Sequence, residues 1–375
     1  MYLLLTTVLF GEDLLIKDLK KYKKEGKKIG LGRVLVKVKD EIEASLLTYQ
    51  LRSINRSILL LKKGEIEKKE KEIKLEDLIE HIKDLDFDFL KKKKFAVRSE
   101  RIGDHSFNRM NIMAKVGEFI LKKTEAKVDL VNPDIIIRFD LIKNKYYVGI
   151  DLIGEKSLIK KKYKTKQHHA ALNSVLAYLM LVFSDYKGET LLDPMCGSGT
   201  ILFEAIFKEI NLPGSYFRDD LIMFKMFPEI LDLKKEIDEK IEKEKELILF
   251  GFDKSKRSIE IAKENLNFIN KKLSSNFKIE FKKLSLDWLD WKFEEKEIDK
   301  IITNPPYGIR IGNPKKVEKT YKEFFYQGSY ISKEITLITT LENYVKEYVN
   351  EFKLKIEKEK PIFNKKLLTK LFLIK

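Results

Sequence analysis

Two short stretches of this 375-residue chain carry the residue types that chemistry needs. The first is Asn304-Pro305-Pro306-Tyr307-Gly308, which follows the apolar run Lys300-Ile301-Ile302-Thr303. That run reads as a strand. Two prolines stop its ladder and hold the backbone extended, so a carboxamide projects from a strand end beside an aromatic ring. The second is Asp193-Pro194-Met195-Cys196-Gly197-Ser198-Gly199-Thr200, set between Thr190-Leu191-Leu192 and the helix-like Ile201–Phe207. Strand, glycine-rich turn and helix in succession form the layout of a nucleotide-type site in an open α/β sheet. Asp193 adds a carboxylate at the strand end. The arrangement suits a ligand with an ammonium and a carboxylate on one group: the carboxylate meets free N–H groups at the helix start, and the ammonium meets acceptors at the strand end. S-adenosylmethionine (SAM) has this chemistry. NAD fits less well, because the third glycine of its fingerprint is missing, and no phosphate-binding lysine follows.

Other elements must present these groups. Leu247–Phe252 reads as the next strand and ends at Asp253, whose carboxylate can accept from both ribose hydroxyls or cap the helix over Lys254–Asn270. The gap from Gly199 exceeds the usual spacing of about 20 residues, so Asn211–Glu246 is an insertion. Phe277–Lys283 is a third strand. Leu286, Asp287 and Trp288 follow it as candidates for an adenine site, Asp287 accepting from the amine or serving as plain loop polarity. Strands at 300–303 and 335–341 and a terminal pair, 354–357 and 368–374, bring the count in the latter half to seven. Ala170–Phe183 is a strongly apolar helix expected to cover the sheet and wall off the cofactor. His169 and Asn173 at its start face the methionine moiety or act as cap and packing residues.

Composition narrows the class. No apolar run approaches the ~20 residues of a membrane helix, and Met1–Phe10 lacks the basic start and cleavage site of a signal peptide. One cysteine excludes an intramolecular disulfide, and four scattered histidines give no zinc-type cluster. A cytoplasmic protein without a metal is expected. Net charge is +16, of which +9 falls in residues 1–160 and +7 in the rest. That excess suits an RNA partner or a lysine- and glutamate-rich composition of thermophile type.

The first part reads as α+β. Strands at 3–9, 34–38 and 57–61 and helices at 13–24 and 42–51 resemble a ferredoxin-like domain. Beyond a charged stretch at 62–74 comes Phe95–Arg101, read as one strand with Val97, Ser99 and Arg101 on one face and Arg98 on the other. A helix at 111–123 and a hairpin of Asp134–Leu141 with Tyr146–Leu152 follow. Val97-Arg98-Ser99-Glu100-Arg101, Val131-Asn132-Pro133-Asp134 and Val148-Gly149-Ile150-Asp151, in this order, resemble a THUMP domain. The resemblance implies binding to the 3′ end of tRNA or a related RNA, with Arg98, Arg101, Arg109, Lys122 and Lys123 as phosphate contacts or as solvated surface charge.

Asn304–Tyr307 resembles the (N/D)PPY motif of SAM-dependent methyltransferases acting on nucleobase amino groups. The chain as a whole is similar to archaeal THUMP-containing tRNA guanine-N2 methyltransferases, the type acting on position 6. The implied fold is α/β, a class I Rossmann-like methyltransferase with a seven-stranded sheet, preceded by ferredoxin-like and THUMP α+β domains. Expected divisions are 1–62, 63–153, a linker at 154–168, and a catalytic domain at 169–375. The implied SAM site is Asp193 to Thr200 with Asp253, Leu286, Asp287, Trp288 and Asn304. The implied catalytic group is Asn304, Pro305 and Tyr307: the Asn304 side-chain oxygen and Pro305 carbonyl accept from the amine, and Tyr307 stacks on the base. Partners implied are the tRNA acceptor stem and its 3′ CCA end, with the enzyme a monomer. Members acting on position 6 often carry leucine where this chain has Pro305, so relatives acting on tRNA position 10 or on 23S rRNA guanines remain alternatives, as does a non-catalytic RNA-binding protein. Cys196 inside the SAM loop is not placed like the nucleophile of cytosine-C5 methyltransferases. A fragment starting near Lys160 is expected to bind SAM still but to lose most RNA affinity.

Overall fold

The computed structural model describes residues 1–67, 72–159, 163, 172–308 and 314–375. Two sheets organise them. The first holds β1 (Tyr2–Thr6), β2 (Gly26–Gly30), β3 (Arg33–Lys37), β4 (Arg56–Glu65), β5 (Lys94–Arg98), β6 (Arg101–Ile102), β7 (Lys127–Val128), β8 (Ile135–Ile142) and β9 (Lys145–Asp151). Its order is β2-β3-β1-β4-β9-β8-β5-β7, with β6 pairing β8. The ferredoxin-like and THUMP-like parts therefore share one continuous sheet, joined where β4 runs antiparallel to β9. The strand expected at Phe95–Arg101 is broken: β5 stops at Arg98 and β6 starts at Arg101, both parallel to β8. Arg138 of β8 lies buried against Asp140 and Asp151, and the Glu100 N–H donates to Asp140. The Glu100 N–H is thus spent on this buried ion cluster, at the point where the strand breaks.

The second sheet holds β10 (Leu191–Asp193), β11 (Leu249–Asp253), β12 (Glu280–Lys283), β13 (Ile298–Thr303), β14 (Ser332–Thr339), β15 (Ile356–Asn364) and β16 (Leu367–Ile374). Its order is β12-β11-β10-β13-β14-β16-β15. The first five are parallel, and the terminal hairpin adds antiparallel strands at one edge. This is the seven-stranded arrangement of a class I methyltransferase. Chain order reverses direction at β10, so the crevice above its C-terminal end is the ligand-binding switch point.

The two halves share their cores. The helix Ser174–Phe183 is buried at all ten positions because it packs between the N-terminal helix Glu12–Leu19 and the helix Thr200–Glu209. Apolar residues all round are what such a sandwiched helix requires. Asn173 caps it, accepting from the Val175 N–H at 2.9 Å, which is the capping reading of that residue; His169 lies outside the described residues. In return, Leu221, Met223, Phe224 and Ile230 from the 211–246 insertion enter the apolar core of the N-terminal half.

Polar bonds across this boundary are equally direct. Arg52 donates to Glu204 Oε2 through Nε at 3.0 Å and Nη2 at 2.5 Å, with both side chains buried. Tyr163 donates to Glu204 Oε1 at 2.7 Å. Gly214 and Ser215 donate from their backbones to Gln50 and Tyr49. A Cβ on Gly214 would stand 2.0 Å from the Leu51 carbonyl oxygen, so only glycine permits this approach. SAM binding by a fragment starting near Lys160 would require it to fold without this interface. Cutting there would strip Glu204 of its guanidinium and expose the insertion's apolar face. The linker expected at 154–168 falls mostly outside the described residues.

Candidate cofactor and catalytic site

The turn between β10 and the helix Thr200–Glu209 is held by its own backbone. Cys196 N–H donates to the Phe252 carbonyl at 2.8 Å, and Gly199 N–H to the Cys196 carbonyl at 2.9 Å. Gly197 has φ +53°, and a Cβ there would meet nothing within 4 Å, so the loop presents bare backbone to open space. The free N–H groups of the helix start one residue beyond Gly199, which supplies the N-cap in the left-handed region. Pro194 and Met195 lead into the turn, and Ser198 and Thr200 are buried beneath it.

Two carboxylates flank this loop. Asp193 is buried and accepts from the Thr303 hydroxyl at 2.7 Å and the Met195 N–H at 3.2 Å. Burial pushes its carboxyl up to about 7, partly offset by those two hydrogen bonds and reinforced by the charge of Asp253. Asp253, ending β11, accepts from Gly197 N–H at 3.0 Å and from Ser255 N–H at 2.8 Å. Ser255, not Asp253, caps the helix Lys256–Leu273, through the Ser258 N–H. Each Asp253 oxygen keeps a further acceptor direction, as a contact to ribose hydroxyls requires.

Beyond β12, a cavity of about 260 Å³ is lined by Lys254, Lys283, Leu284, Ser285 and Trp288. The Leu284 N–H donates to the Asp253 carbonyl, which places this cavity beside the C-terminal end of β11. Of the three sequence candidates here, Trp288 lines the cavity, Leu286 packs inward beside the core around Leu289 and Phe293, and Asp287 is exposed with Ser285 as its partner. Lys254, directly after β11, and Lys283, the last residue of β12, were not sequence candidates; their place at these two strand ends is the signal that could have found them.

The Asn304 motif leaves β13, the strand next to β10. Thr303, which bonds Asp193, immediately precedes Asn304, so the two motifs meet at neighbouring strand ends. The Tyr307 hydroxyl donates to Asn304 Oδ1 at 2.6 Å, and Asn364 Nδ2 donates to the Tyr307 oxygen at 3.2 Å. Burial holds the phenol protonated. Asn364, at the end of β15, was not among the sequence candidates; nothing in its local spacing marks it. The Cys196 thiol is buried, and burial with the charges of Asp193 and Asp253 pushes it well above its ordinary range, so no thiolate nucleophile forms here.

Residues 161–370 match the RMKL-like methyltransferase domain family. The chain belongs to this family. Residues 72–151 match the THUMP domain. The chain is 33% identical over 343 residues to the tRNA (guanine(6)-N2)-methyltransferase of Methanocaldococcus jannaschii, covering 87% of each chain. It is 34% identical over 286 residues to the enzyme of that name in Archaeoglobus fulgidus, covering 74% of this chain and 67% of the relative. Among solved structures, SMU.472 complexed with SAH aligns with a TM-score of 0.82 at 22% identity, covering 99% of this chain and 97% of that one. TrmN from Thermus thermophilus aligns at 0.73 and 21%, covering 100% and 99%. At these identities the structural likeness establishes the fold. RMKL-like methyltransferases are SAM-dependent, and the open Gly197 backbone, the helix start after it and the two strand-end carboxylates fit that cofactor.

The THUMP part places the five basic candidates unevenly. Arg98 donates to the Leu130 carbonyl and pairs with Glu155. Arg101 donates to the Gly103 carbonyl and contacts His105. Lys122 pairs with Glu118 one turn away, and Lys123 donates to the carbonyls of Lys83 and Leu85. Arg109, at the start of the helix Arg109–Lys123, is exposed. Among the described residues there is no cluster of potential metal ligands and no helix long and apolar enough to cross a membrane.

Proposed function

We propose that this enzyme methylates the exocyclic N2 of a guanosine in tRNA, at position 6 of the acceptor stem. The observation that carries the reading is the meeting of Asn304 and Asp193 on adjacent strand ends, in a chain similar over most of its length to two relatives named for that reaction. SAM supplies an electrophilic methyl group. The chain's own residues prepare the nucleophile. A guanine N2 lone pair is delocalised into the ring. Asn304 Oδ1 and the Pro305 carbonyl accept its N–H groups, which turns the remaining density away from the ring and offsets developing positive charge. Tyr307 is the stacking surface for a base that has left the helix. Asp193 and Asp253 hold the ammonium and ribose ends of the cofactor, Ser198 and Thr200 offer N–H groups to its carboxylate, and Trp288 walls the adenine. Fixing both reactants supplies much of the rate enhancement.

The THUMP part holds the 3′ CCA end, and the catalytic part reaches a guanosine at a fixed distance along the stem. The enzyme works as a monomer. Arg109 is the strongest phosphate contact of the five basic candidates, because it is exposed and at a helix start. The N-terminal ferredoxin-like region, the THUMP region, the linker and the catalytic region divide as 1–62, 63–153, 154–168 and 169–375.

The test is methylation of tRNA transcripts with tritiated SAM, followed by nucleoside mass spectrometry and mapping. N2-methylguanosine at position 6, lost when CCA is removed and kept when the anticodon is changed, supports the reading. Full-rate methylation of CCA-less transcripts refutes the measuring role of the THUMP part. Methyl transfer to 23S rRNA in place of tRNA favours the alternative represented by the ribosomal RNA large subunit methyltransferase K/L of Psychromonas ingrahamii, 28% identical over 241 residues.

A further inference from the structure

Asn364 lies about sixty residues beyond the catalytic motif and reaches it only through the fold. It closes β15 opposite Leu367 of β16, at the turn of the terminal hairpin. Its Nδ2 donates to the Tyr307 oxygen, whose own proton goes to Asn304 Oδ1. Its Oδ1 is buried and has no hydrogen-bond partner among the described residues. The residue before it is anchored from the other end of the chain: Phe363 N–H donates to the Leu9 carbonyl at 3.1 Å, and the Phe10 ring stacks on Phe363 with centroids 5.7 Å apart.

We propose that Asn364 is a positioning residue for methyl transfer, acting through Tyr307 to set the orientation of the Asn304 carboxamide. This rests on the catalytic reading of Asn304 given above. A phenol has one proton and can both donate and accept. A donor amide on its oxygen leaves that proton directed at Asn304. The bonded chain Asn364, Tyr307, Asn304 then polarises in one direction, each bond strengthening the next. Asn304 has a carbonyl edge and an amino edge that differ only in hydrogen bonding. A phenol committed as donor selects the orientation with Oδ1 toward Tyr307. The opposite orientation moves the acceptor to the other side of the carboxamide and turns an N–H edge toward the phenol. Burial keeps Tyr307 protonated, so the donor role persists across the working pH range. The buried amide costs stability where its Oδ1 goes unpaired, which a side chain serving packing alone would not require.

The experiment uses the full-length enzyme, an unmethylated tRNA transcript with guanosine at position 6, and tritiated SAM. Asn364→Ala, Asn364→Asp, Tyr307→Phe, Asn364→Ala/Tyr307→Phe and Asn304→Ala are compared for kcat, KM, calorimetric SAM affinity and thermal unfolding. Asn364→Asp keeps the shape but replaces the donor with an acceptor that competes for the phenol proton. Asn364→Ala and Asn364→Asp are each expected to lower kcat about tenfold, with KM and SAM affinity unchanged, and the double variant to be no slower than Tyr307→Phe. Normal kcat in Asn364→Asp, or losses that multiply in the double variant, overturns the relay while an inactive Asn304→Ala leaves the catalytic reading standing. Near-normal turnover in Asn304→Ala overturns both.

Discussion

The Thr303 hydroxyl donates to Asp193 across the ends of two adjacent parallel strands, linking the residue before the catalytic motif to the first residue of the cofactor loop. The parallel pairing of β10 with β13 sets the distance between the two motifs, and this bond ties their ends together. Burial raises the Asp193 carboxyl to about 7, and the Thr303 hydrogen bond partly offsets that rise.

A pH dependence follows with a definite sign. A cation beside Asp193 favours the carboxylate, so binding SAM releases a proton wherever the free enzyme holds one. SAM affinity is expected to rise with pH up to about 7 and then level off, and Asp193→Asn to flatten the profile. Calorimetry in buffers of different ionisation enthalpy measures the released proton. Stability moves oppositely: the raised folded-state value means this group's contribution is fully present below the ordinary carboxyl range and is lost as pH rises through about 7. Chemical denaturation of wild type and Asp193→Asn between pH 5 and 8 checks that direction.

Asp253 holds the loop through Gly197 and has acceptor capacity left for the cofactor. Asp253→Ala is expected to weaken SAM binding by roughly 1–3 kcal/mol, the range for a hydrogen bond to a charged group. Unchanged affinity by titration calorimetry rejects the assignment.

Asn304→Ala should lower turnover by on the order of a hundredfold or more, with SAM affinity nearly intact, because the lost contact forms only as the amine reacts. Single-turnover rates alongside SAM titrations separate this from a cofactor-binding defect.

Removing Arg52 leaves the Glu204 carboxylate buried without its guanidinium. Arg52→Ala is expected to cost roughly 3–5 kcal/mol of stability, the scale for breaking a buried pair. A fragment beginning at Leu172 lacks both Arg52 and Tyr163 and should not fold cooperatively; a sharp thermal transition in that fragment refutes the shared-core account.

The two motifs were legible because each is local: strand, turn and helix supply all of Asp193 to Thr200, and strand with prolines supplies Asn304 to Tyr307. Six of the seven strands of the latter half were legible for the same reason; the one expected at 354–357 is instead β15, Ile356–Asn364, an exposed edge strand whose lysines and glutamates hide any apolar alternation. The helix Glu342–Glu351 was missed although Val345, Tyr348 and Val349 carry its spacing, because its charged positions blur the boundary with β14. The strand β2 escaped because its five residues are two glycines, two lysines and an isoleucine. Asn364 and the clamp formed by the insertion depend on contacts between residues far apart in the chain, which no periodicity encodes. The break between Arg98 and Arg101 reflects a buried ion cluster whose partners lie forty residues away.

The insertion has a consequence for biogenesis. Leu221, Met223, Phe224 and Ile230 complete the core of a region whose own strands end by Asp151. On the ribosome, the first-made half emerges with an unfilled apolar face and must wait for some eighty further residues before it closes. Its maturation is tied to synthesis of the second half, and a truncated translation product presents sticky surface to chaperones and proteases instead of a finished RNA-binding domain.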